Sequence, residues 1–203
     1  MAALVGLQLV LCGFVGAALL APAPARATQS PADAIRQFNA VLLDTMQHAQ
    51  QLGAKGRYQK LEPAVLNTYD VPYMTHFSVG PSWATLPAEQ RRRAAAAFGR
   101  YITAVYATRF DGYSNERFQV LGEQKVRHGM IVRTQLVKSD GEVVNINYMM
   151  HDNDFGWQIR DVYLSGTISE LATRRSEFAG ILRGGGIEAL IASMNRKADE
   201  LKG

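Results

Sequence analysis

Apolar residues recur at helical spacing through the first half of the chain and alternate in the second half. Behind Ser30 and Pro31, a typical helix cap and first helical residue, apolar positions fall three or four residues apart as far as Gly53. This pattern predicts an amphipathic first helix from Ser30 to Gly53. Beyond it, Pro63 and Pro72 are expected to divide the chain into short helical pieces.

A long helix is predicted to begin at Leu86 and Pro87, and its residues differ sharply in size. The small ones are the alanines at 94–97, Gly99 and Ala104. Such an uneven surface either packs very closely against a neighbour or leaves room for a ligand. The large apolar residues of this helix are Phe98, Tyr101, Ile102, Val105, Tyr106 and Phe110.

From residue 118 onward the hydrophobic period is that of β-strands. Asp140 with Gly141, and the Asp152-Asn153-Asp154 run, supply the residues that hairpin turns prefer. The pattern therefore predicts a four-stranded antiparallel meander. Its predicted strands are 118–122, 130–138, 143–151 and 155–164.

Two further helices are predicted after the sheet, over 168–182 and 187–201, with three glycines at 184–186 between them. The order of helices, sheet and helices is typical of an α+β fold. We expect a cone of the NTF2 type, in which a curved four-stranded antiparallel sheet is covered by several helices and encloses an apolar cavity.

Residues 1–27 are predicted to be a secretory signal peptide. An apolar run from position 2 to position 20 ends in APAPARA, where Ala25-Arg26-Ala27 offers a cleavage site. A membrane anchor is the alternative interpretation. The single cysteine, Cys12, lies in this segment, so the remaining domain, 28–203, would have no disulfide and is expected in a bacterial periplasm.

The net charge of +4 is spread along the chain, which argues against nucleic acid as a partner. The three glycines lack both the Lys-Ser/Thr pair and the preceding strand of a phosphate-binding loop, so they predict a helix-helix junction. The 151–154 segment has metal-ligand types but is better explained as a turn, and we expect neither metal nor cofactor.

Two groups of charged residues leave alternatives open. Asp161 alternates with apolar residues of the last strand and would face the concave side of the sheet, where it is either a structural acid or a general base. Arg174, Arg175 and Arg183 are either a solvated helix face or a surface for a lipid headgroup or a partner. No catalytic motif is present, and we expect no enzyme.

Apolar residues are in surplus on the elements that must face one another. They fill either one packed core or the wall of a cavity. These residues are Tyr101, Tyr106, Phe110, Val144, Ile146, Tyr148, Met150, Phe155, Trp157, Ile159, Val162 and Leu164.

Several stretches together resemble the MlaC family of periplasmic lipid-shuttle proteins, also called toluene-tolerance proteins. They are LEPAV, YDVPYMTHFSVGPSW, PAEQRRRAAAAFGRYITAVYATRF, WQIRDVYLSGTISELATRRSEFAGIL and GGIEALI. The SGTISELATRRSEF stretch is more similar to the hopanoid-associated HpnM branch than to the phospholipid branch, from whose pattern the Gly166-Thr167-Ile168-Ser169 run departs.

The resemblance implies a periplasmic carrier that shuttles hopanoid or phospholipid between membrane complexes. Its implied partners are an inner-membrane lipid transporter, of the RND type or with MCE domains, and an outer-membrane lipoprotein complex. It gives Asp161, Arg175 and Phe178 a structural role. A small hydrolase or isomerase with Asp161 as general base is the alternative, and a structural adaptor of an export complex is a third.

The lipid cavity is expected to lie between the sheet and its helical cover. The small residues of the long helix are predicted to give it width. Its expected lining is Tyr101, Tyr106, Phe110, Ile146, Tyr148, Met150, Trp157, Ile159, Val162, Leu164 and Phe178.

Overall fold

The computed structural model describes residues 29–202, so the predicted signal peptide lies outside the described residues. Within them, helices precede and follow one antiparallel sheet, and none of these helices is apolar over enough of its length to cross a bilayer. The helices are α1 (Pro31–Gln47), α2 (Ala49–Thr68), α3 (Val71–Val79), α4 (Ala88–Arg109) and α5 (Glu170–Lys202), with a 3-10 turn at Gly80–Thr85. The strands are β1 (Arg117–Val126), β2 (Gly129–Val137), β3 (Val143–Asn153), β4 (Gly156–Leu164) and β5 (Ile168–Ser169).

The start of α1 follows the sequence pattern, but its end does not. The Ser30 hydroxyl accepts a hydrogen bond from the Asp33 amide at 3.1 Å, as expected of a helix cap. The helix ends at Gln47 rather than at Gly53, because the chain leaves helical geometry at His48 (φ −107°, ψ 14°) and α2 begins at once. Gly53, at φ 58°, is a break inside α2.

The two prolines of this region act differently. Pro72 lies in the first turn of α3, where a missing amide proton costs nothing, and Asp70 caps the helix by accepting from the Tyr73 amide at 3.1 Å. Pro63 lies inside α2, so the expectation that it divides the chain is wrong.

The sheet has five strands in the order β1-β2-β3-β4-β5, not the predicted four. Ser165 and Gly166, both at positive φ, turn the chain back so that Ile168 pairs with Leu164. Two paired residues are too few to show the alternation of apolar and polar residues that marks a strand. The sequence pattern therefore predicted that a helix begins at residue 168. The α+β class is confirmed, and the likeness to NTF2-type cones stays a prediction.

A β-bulge at Arg160 changes which residues of β4 face the helices. Met149 pairs with Asp161 whereas Met150 pairs with Ile159, so Arg160 has no partner in β3. Val162 therefore returns to the face of Ile159, and Asp161 turns to the other face. The prediction that Asp161 lies on the concave side is wrong for this reason.

Helix α5 is broken at Gly186 (φ 65°), which confirms the predicted helix-helix junction at the glycine run. Its two halves run in opposite directions along α4. The contacts that give these directions are Arg109 with Glu170 and Tyr101 with Phe178 for the first half, and Arg93 with Glu188 and Arg100 with Asp199 for the second.

Candidate functional site

An apolar cavity of about 260 Å³ lies between the sheet and the helices. Residues of β2, β3 and β4 form one wall, and residues of α4, with others from α3, α5 and the connections between elements, form the other. The lining residues are Tyr69, Met74, Phe98, Ile102, Val105, Tyr106, Arg109, Phe110, Leu136, Val144, Ile146, Tyr148, Val162, Leu164, Glu170, Leu171 and Arg174.

The sheet wall is apolar because three neighbouring strands bring alternate residues to the same face. Ile146 pairs with Leu164, and Tyr148 pairs with Val162, so these four side chains lie side by side. Paired strands hold their spacing through backbone hydrogen bonds. This wall is therefore rigid.

The helical wall is a single stripe of α4. Phe98, Ile102, Val105, Tyr106 and Arg109 follow one another at intervals of four, three, one and three residues, which places them on one face of a helix. The stripe ends in an arginine. The cavity is accordingly apolar in its interior and charged at this end.

The small residues of α4 lie on its other faces. Ala94, Ala97 and Ala104 are buried without lining the cavity, and a Cβ at Gly99 would come within 2.9 Å of the Leu66 side chain. They allow close packing against neighbouring helices. The prediction that they widen the cavity is wrong, and close packing, the other interpretation, describes them.

Aromatic rings close one end of the cavity. The Phe38 ring lies edge-on to those of Tyr69, Tyr106 and Tyr148, with centroid distances of 5.5, 5.7 and 6.5 Å. The hydroxyls of Tyr69 and Tyr106 hydrogen-bond to each other. Tyr106 also stacks on Phe110 at 5.5 Å.

These three tyrosines are held in the neutral state. Burial raises the pKa of Tyr106 to about 12, and it raises the pKa values of Tyr69 and Tyr148 well above the ordinary value. The three tyrosines therefore contribute hydroxyl groups but no charge at neutral pH.

The mouth of the cavity carries ionised groups. Glu170 at the start of α5 pairs with Arg109 at 3.2 Å and with Arg174 at 3.4 Å. Arg174 also pairs with Glu177 at 2.7 Å and lies over the Tyr101 ring, 5.3 Å from its centroid. Arg109 is the most exposed of the charged residues that line the cavity.

Of the eleven residues expected in the lining, six lie there: Tyr106, Phe110, Ile146, Tyr148, Val162 and Leu164. Tyr101 and Phe178 pack against each other between α4 and α5. Met150 and Ile159 are fully buried beyond the cavity wall. Trp157 is half-buried in a groove between the β3-β4 hairpin and helices α1 and α2.

Several lining residues were missed from the sequence, and most had a usable signal. Ile102 and Val105 belong to the helical stripe, and Leu136 to the alternating pattern of β2. The sequence gives no sign that Arg109 and Glu170 line the cavity, since a charged residue at the end of a helix is ordinarily solvated.

Asp161 caps the start of α5. Its carboxylate accepts hydrogen bonds from the Ser169 hydroxyl at 2.6 Å and from the amides of Val162 and Leu171 at 2.8 and 3.1 Å. Burial raises the pKa of Asp161, and these hydrogen bonds oppose the rise. The carboxylate is outside the cavity lining, and three hydrogen bonds from its own surroundings occupy most of its acceptor sites. These contacts are those of an acid with a structural role.

The turn at 151–154 and Arg175 have structural contacts. The Asn153 side chain accepts from the Phe155 amide at 2.9 Å and donates to Gln158 at 2.8 Å. Arg175 lies over the Phe77 ring, 5.2 Å from its centroid. Between residues 29 and 202, no cluster of three or more His, Cys, Asp or Glu side chains is placed to hold a metal ion.

Comparison with known proteins finds similarity to a curated protein and to a solved structure. The chain is 27% identical over 127 residues to the intermembrane phospholipid transport system binding protein MlaC of Haemophilus influenzae. That alignment covers 60% of this chain and 59% of the relative. A phospholipid-binding protein of Ralstonia solanacearum, solved in complex with a phospholipid, has the same fold with a TM-score of 0.74. It is 17% identical, and the match covers 86% of this chain and 99% of that one.

The family comparison spans most of the described residues. Residues 36–196 match the family described as MlaC protein. The matched range begins in the first half of α1 and ends in the second half of α5. This range contains every residue that lines the cavity. The chain belongs to the MlaC family.

Proposed function

We propose that this protein is a carrier that binds a phospholipid or a hopanoid and shuttles it between complexes of the inner and outer membranes. The observation that carries the proposal is the apolar cavity between the rigid sheet wall and the α4 stripe. Membership of the MlaC family and the phospholipid-bound Ralstonia structure of the same fold support it.

A carrier of this kind is needed because a lipid tail is costly to expose to water. Each methylene costs about 0.8 kcal/mol, so a long acyl chain costs on the order of 10 kcal/mol. A cavity lined by Ile146, Val162, Leu164 and the α4 stripe replaces water with apolar contacts. The barrier to moving the lipid between membranes falls accordingly.

The mouth is suited to the lipid headgroup. Arg109 uses one terminal nitrogen on Glu170 and is 43% exposed, so its other donors face solvent. A guanidinium group carries five N–H donors and binds phosphate oxygens well. We infer that the tail enters between sheet and helices while the headgroup stays beside Arg109.

The cavity must widen when a whole lipid binds. A cavity of about 150 Å³ accommodates benzene, so 260 Å³ accommodates roughly ten carbon atoms. Two long acyl chains, or a polycyclic skeleton, need more. The helices are the wall that can move, since side chains make most of their contacts with the sheet and the backbone hydrogen bond from the Asp70 amide to the Ile159 carbonyl is local.

Residues 1–27 are proposed to be the signal peptide that directs the chain to the periplasm. The proposed partners are an inner-membrane transporter of the RND type or with MCE domains, and an outer-membrane lipoprotein complex. The 165–178 stretch resembles the hopanoid-associated HpnM branch, and this resemblance favours hopanoid as cargo. The two named proteins, by contrast, bind or transport phospholipid.

An enzyme with Asp161 as general base is less well supported. A base must reach the substrate, and Asp161 is directed away from the cavity towards the start of α5. No other described residue of the lining pairs a nucleophile with a base.

The decisive experiment is to identify lipid that co-purifies with the protein. Chain expressed in its native host is extracted with organic solvent, and the extract is analysed by mass spectrometry for phospholipid and hopanoid. We expect one of them in stoichiometric amount, and uptake of the same lipid from loaded liposomes. A protein with no bound lipid and no uptake would contradict the proposal.

A matched pair of variants ties the lipid to this cavity. Val105→Phe places a bulky ring in the cavity, whereas Ala95→Val changes the same helix outside it. We expect the first to lower the lipid load severalfold and the second to leave it unchanged. Equal loads in the two variants would place the lipid elsewhere.

A further inference from the structure

Three tyrosine hydroxyls meet in the aromatic cluster of the cavity, where Phe38 and Phe110 are their ring neighbours and Arg109 lies three residues beyond Tyr106 on α4. Tyr69, Tyr106 and Tyr148 all line the cavity, and Tyr69 and Tyr148 are 2% and 0% exposed. Each hydroxyl lies close enough to another that its charge would shift the neighbour's pKa. A group of hydroxyls this deep is unusual in a surface made to hold hydrocarbon.

The hydrogen bonds among them leave donors unused. Tyr69 and Tyr106 bond to each other, which uses one O–H and leaves the second free to donate elsewhere. Among residues 29–202, no group hydrogen-bonds the buried hydroxyl of Tyr148. Two O–H donors and the acceptor sites of Tyr148 are therefore available in the cavity.

An unpartnered buried hydroxyl is unfavourable, and phenylalanine would fill the same space without that cost. Phe38 and Phe110 show that phenylalanine is used in the same cluster. The hydroxyls therefore have a use that phenylalanine would not serve. Because all three are neutral, they suit an uncharged oxygen better than a phosphate or a carboxylate.

We propose that the hydroxyls of Tyr148 and of the Tyr69–Tyr106 pair bind an uncharged oxygen atom within the lipid itself, an ester carbonyl or a hydroxyl attached to its hydrocarbon skeleton. This inference rests on the proposed lipid-binding function and adds a specificity element to it. The cavity then selects lipids by an oxygen placed along an apolar body, and not only by length or headgroup.

The test compares lipids that differ only in oxygen content. Binding to the full-length mature chain is measured for three phosphatidylcholines of equal chain length: a diester, a diether that lacks both carbonyls, and a diester with one chain hydroxyl. The wild type, Tyr148→Phe and Tyr163→Phe are compared. Tyr163 lies on the opposite face of the same sheet, so its variant removes a hydroxyl outside the cavity.

We expect the wild type to bind one oxygen-bearing lipid about fivefold to tenfold more tightly than the diether, as one buried hydrogen bond would give. Preference for the plain diester assigns the carbonyl, and preference only for the hydroxylated lipid assigns the skeleton hydroxyl. The preference should disappear in Tyr148→Phe and remain in Tyr163→Phe. Tyr106→Phe, which breaks the hydroxyl pair, should weaken it as well.

Equal affinity of the wild type for all three lipids would overturn the inference and leave the carrier function intact. A preference that survives in Tyr148→Phe, shown by its thermal transition to be folded, would overturn it as well. If none of the three lipids binds, phospholipid carriage as part of the proposed function fails together with the inference.

Discussion

Two tyrosines of the cavity, the half-buried Tyr106 and the fully buried Tyr148, differ in a single hydrogen bond. The Tyr106 hydroxyl is paired with that of Tyr69, whereas the Tyr148 hydroxyl has no partner among the described residues. Removal of an unpaired buried hydroxyl relieves a desolvation cost, but removal of a paired one leaves its partner unsatisfied. The same chemical change should therefore have opposite effects at the two positions.

We expect Tyr148→Phe to keep the free energy of unfolding of the lipid-free protein within about 0.5 kcal/mol or to raise it, and Tyr106→Phe to lower it by about 1–2 kcal/mol. Urea denaturation followed by circular dichroism measures both. A larger loss in Tyr148→Phe than in Tyr106→Phe would show that the Tyr148 hydroxyl has a partner.

The raised tyrosine pKa values predict alkaline instability. A tyrosine in the unfolded chain ionises near pH 10, but Tyr106 keeps its proton until its pKa of about 12. Between these values the unfolded state binds fewer protons, so the free energy of unfolding falls as pH rises, by about 1.4 kcal/mol per pH unit for each such tyrosine. Below pH 10 this contribution is fully present.

We expect Tyr106→Phe to unfold with a shallower dependence on alkaline pH than the wild type. Denaturant titrations from neutral pH to a pH of about 11 give the slope. If wild type and variant lose stability in parallel over that range, Tyr106 ionises as readily in the folded protein as in the unfolded chain.

Asp161 is the residue whose role the sequence left most open, and its contacts predict a loss of stability rather than of binding. Asp161→Ala removes the acceptor for Ser169, Val162 and Leu171, and we expect it to lower the free energy of unfolding by about 2 kcal/mol. Asp161→Asn retains one acceptor oxygen and should lose less. Lipid uptake by the folded variants should match the wild type, and loss of uptake at unchanged stability would point to a functional acid.

At the scale of elements, two faces of helix α4 have different surroundings. The stripe with Val105 faces the cavity, and the face with Ala104 is in close contact with neighbouring helices. Adjacent residues of a helix point in directions about 100° apart. Neighbouring positions of α4 therefore report on different surroundings.

We expect Ala104→Leu to lower the free energy of unfolding by about 1–3 kcal/mol, because the buried site has no room, while lipid load per folded molecule stays unchanged. Val105→Phe should do the reverse, with near-normal stability and reduced load. Thermal denaturation and lipid analysis of the same preparations separate the two effects. Reduced load in Ala104→Leu with normal stability would place that face in the cavity wall.

Most elements were predictable because their periodicity is strong, and the failures have local causes. The long helix α4 and strands β2 to β4 follow from their hydrophobic patterns. Helix α1 ends before the predicted Gly53 because the chain leaves helical geometry at His48. The helical spacing of apolar residues continues past His48, so the sequence pattern does not show this change of backbone direction. The two residues of β5 depend on the Ser165-Gly166 turn and pair only in the folded chain.

The site was less predictable than the fold. Whether a buried side chain lines the cavity depends on whether other side chains pack against all of its surface. Met150 and Tyr148 are both fully buried on β3, yet only Tyr148 lines the cavity. Hydrophobicity does not distinguish them. The position of Phe178, packed on Tyr101, likewise depends on how α5 runs along α4.

At the scale of the whole molecule, a rigid wall faces an adjustable one. The sheet is continuous from β1 to β5 through backbone hydrogen bonds, whereas the helical cover is held to it mainly by side chains, with one backbone hydrogen bond from Asp70 to Ile159. A lipid larger than 260 Å³ must displace the side that resists least. Binding should therefore change the dynamics of the helices more than those of the sheet.

We expect hydrogen exchange of lipid-loaded and lipid-free protein to differ mainly in α4 and in the first half of α5, with β2 to β4 nearly unchanged. Mass spectrometry of peptic fragments measures the difference. Apo Val105→Phe, whose cavity is already partly filled, is the control and should respond less to added lipid. Changes concentrated in the strands would mean that the sheet opens instead.

The bulged residue of β4, Arg160, which has no pairing partner in β3, fixes the faces of two neighbouring residues. It returns Val162 and Leu164 to the oily side, and it turns Asp161 outward to the spot where α5 begins. Regular pairing of the same residues, without the bulge, would place Asp161 opposite Tyr148, where it would present a carboxylate to the hydrocarbon and leave the last helix uncapped. The apolar cavity wall and the start of α5 thus depend together on one residue that is itself absent from the cavity lining.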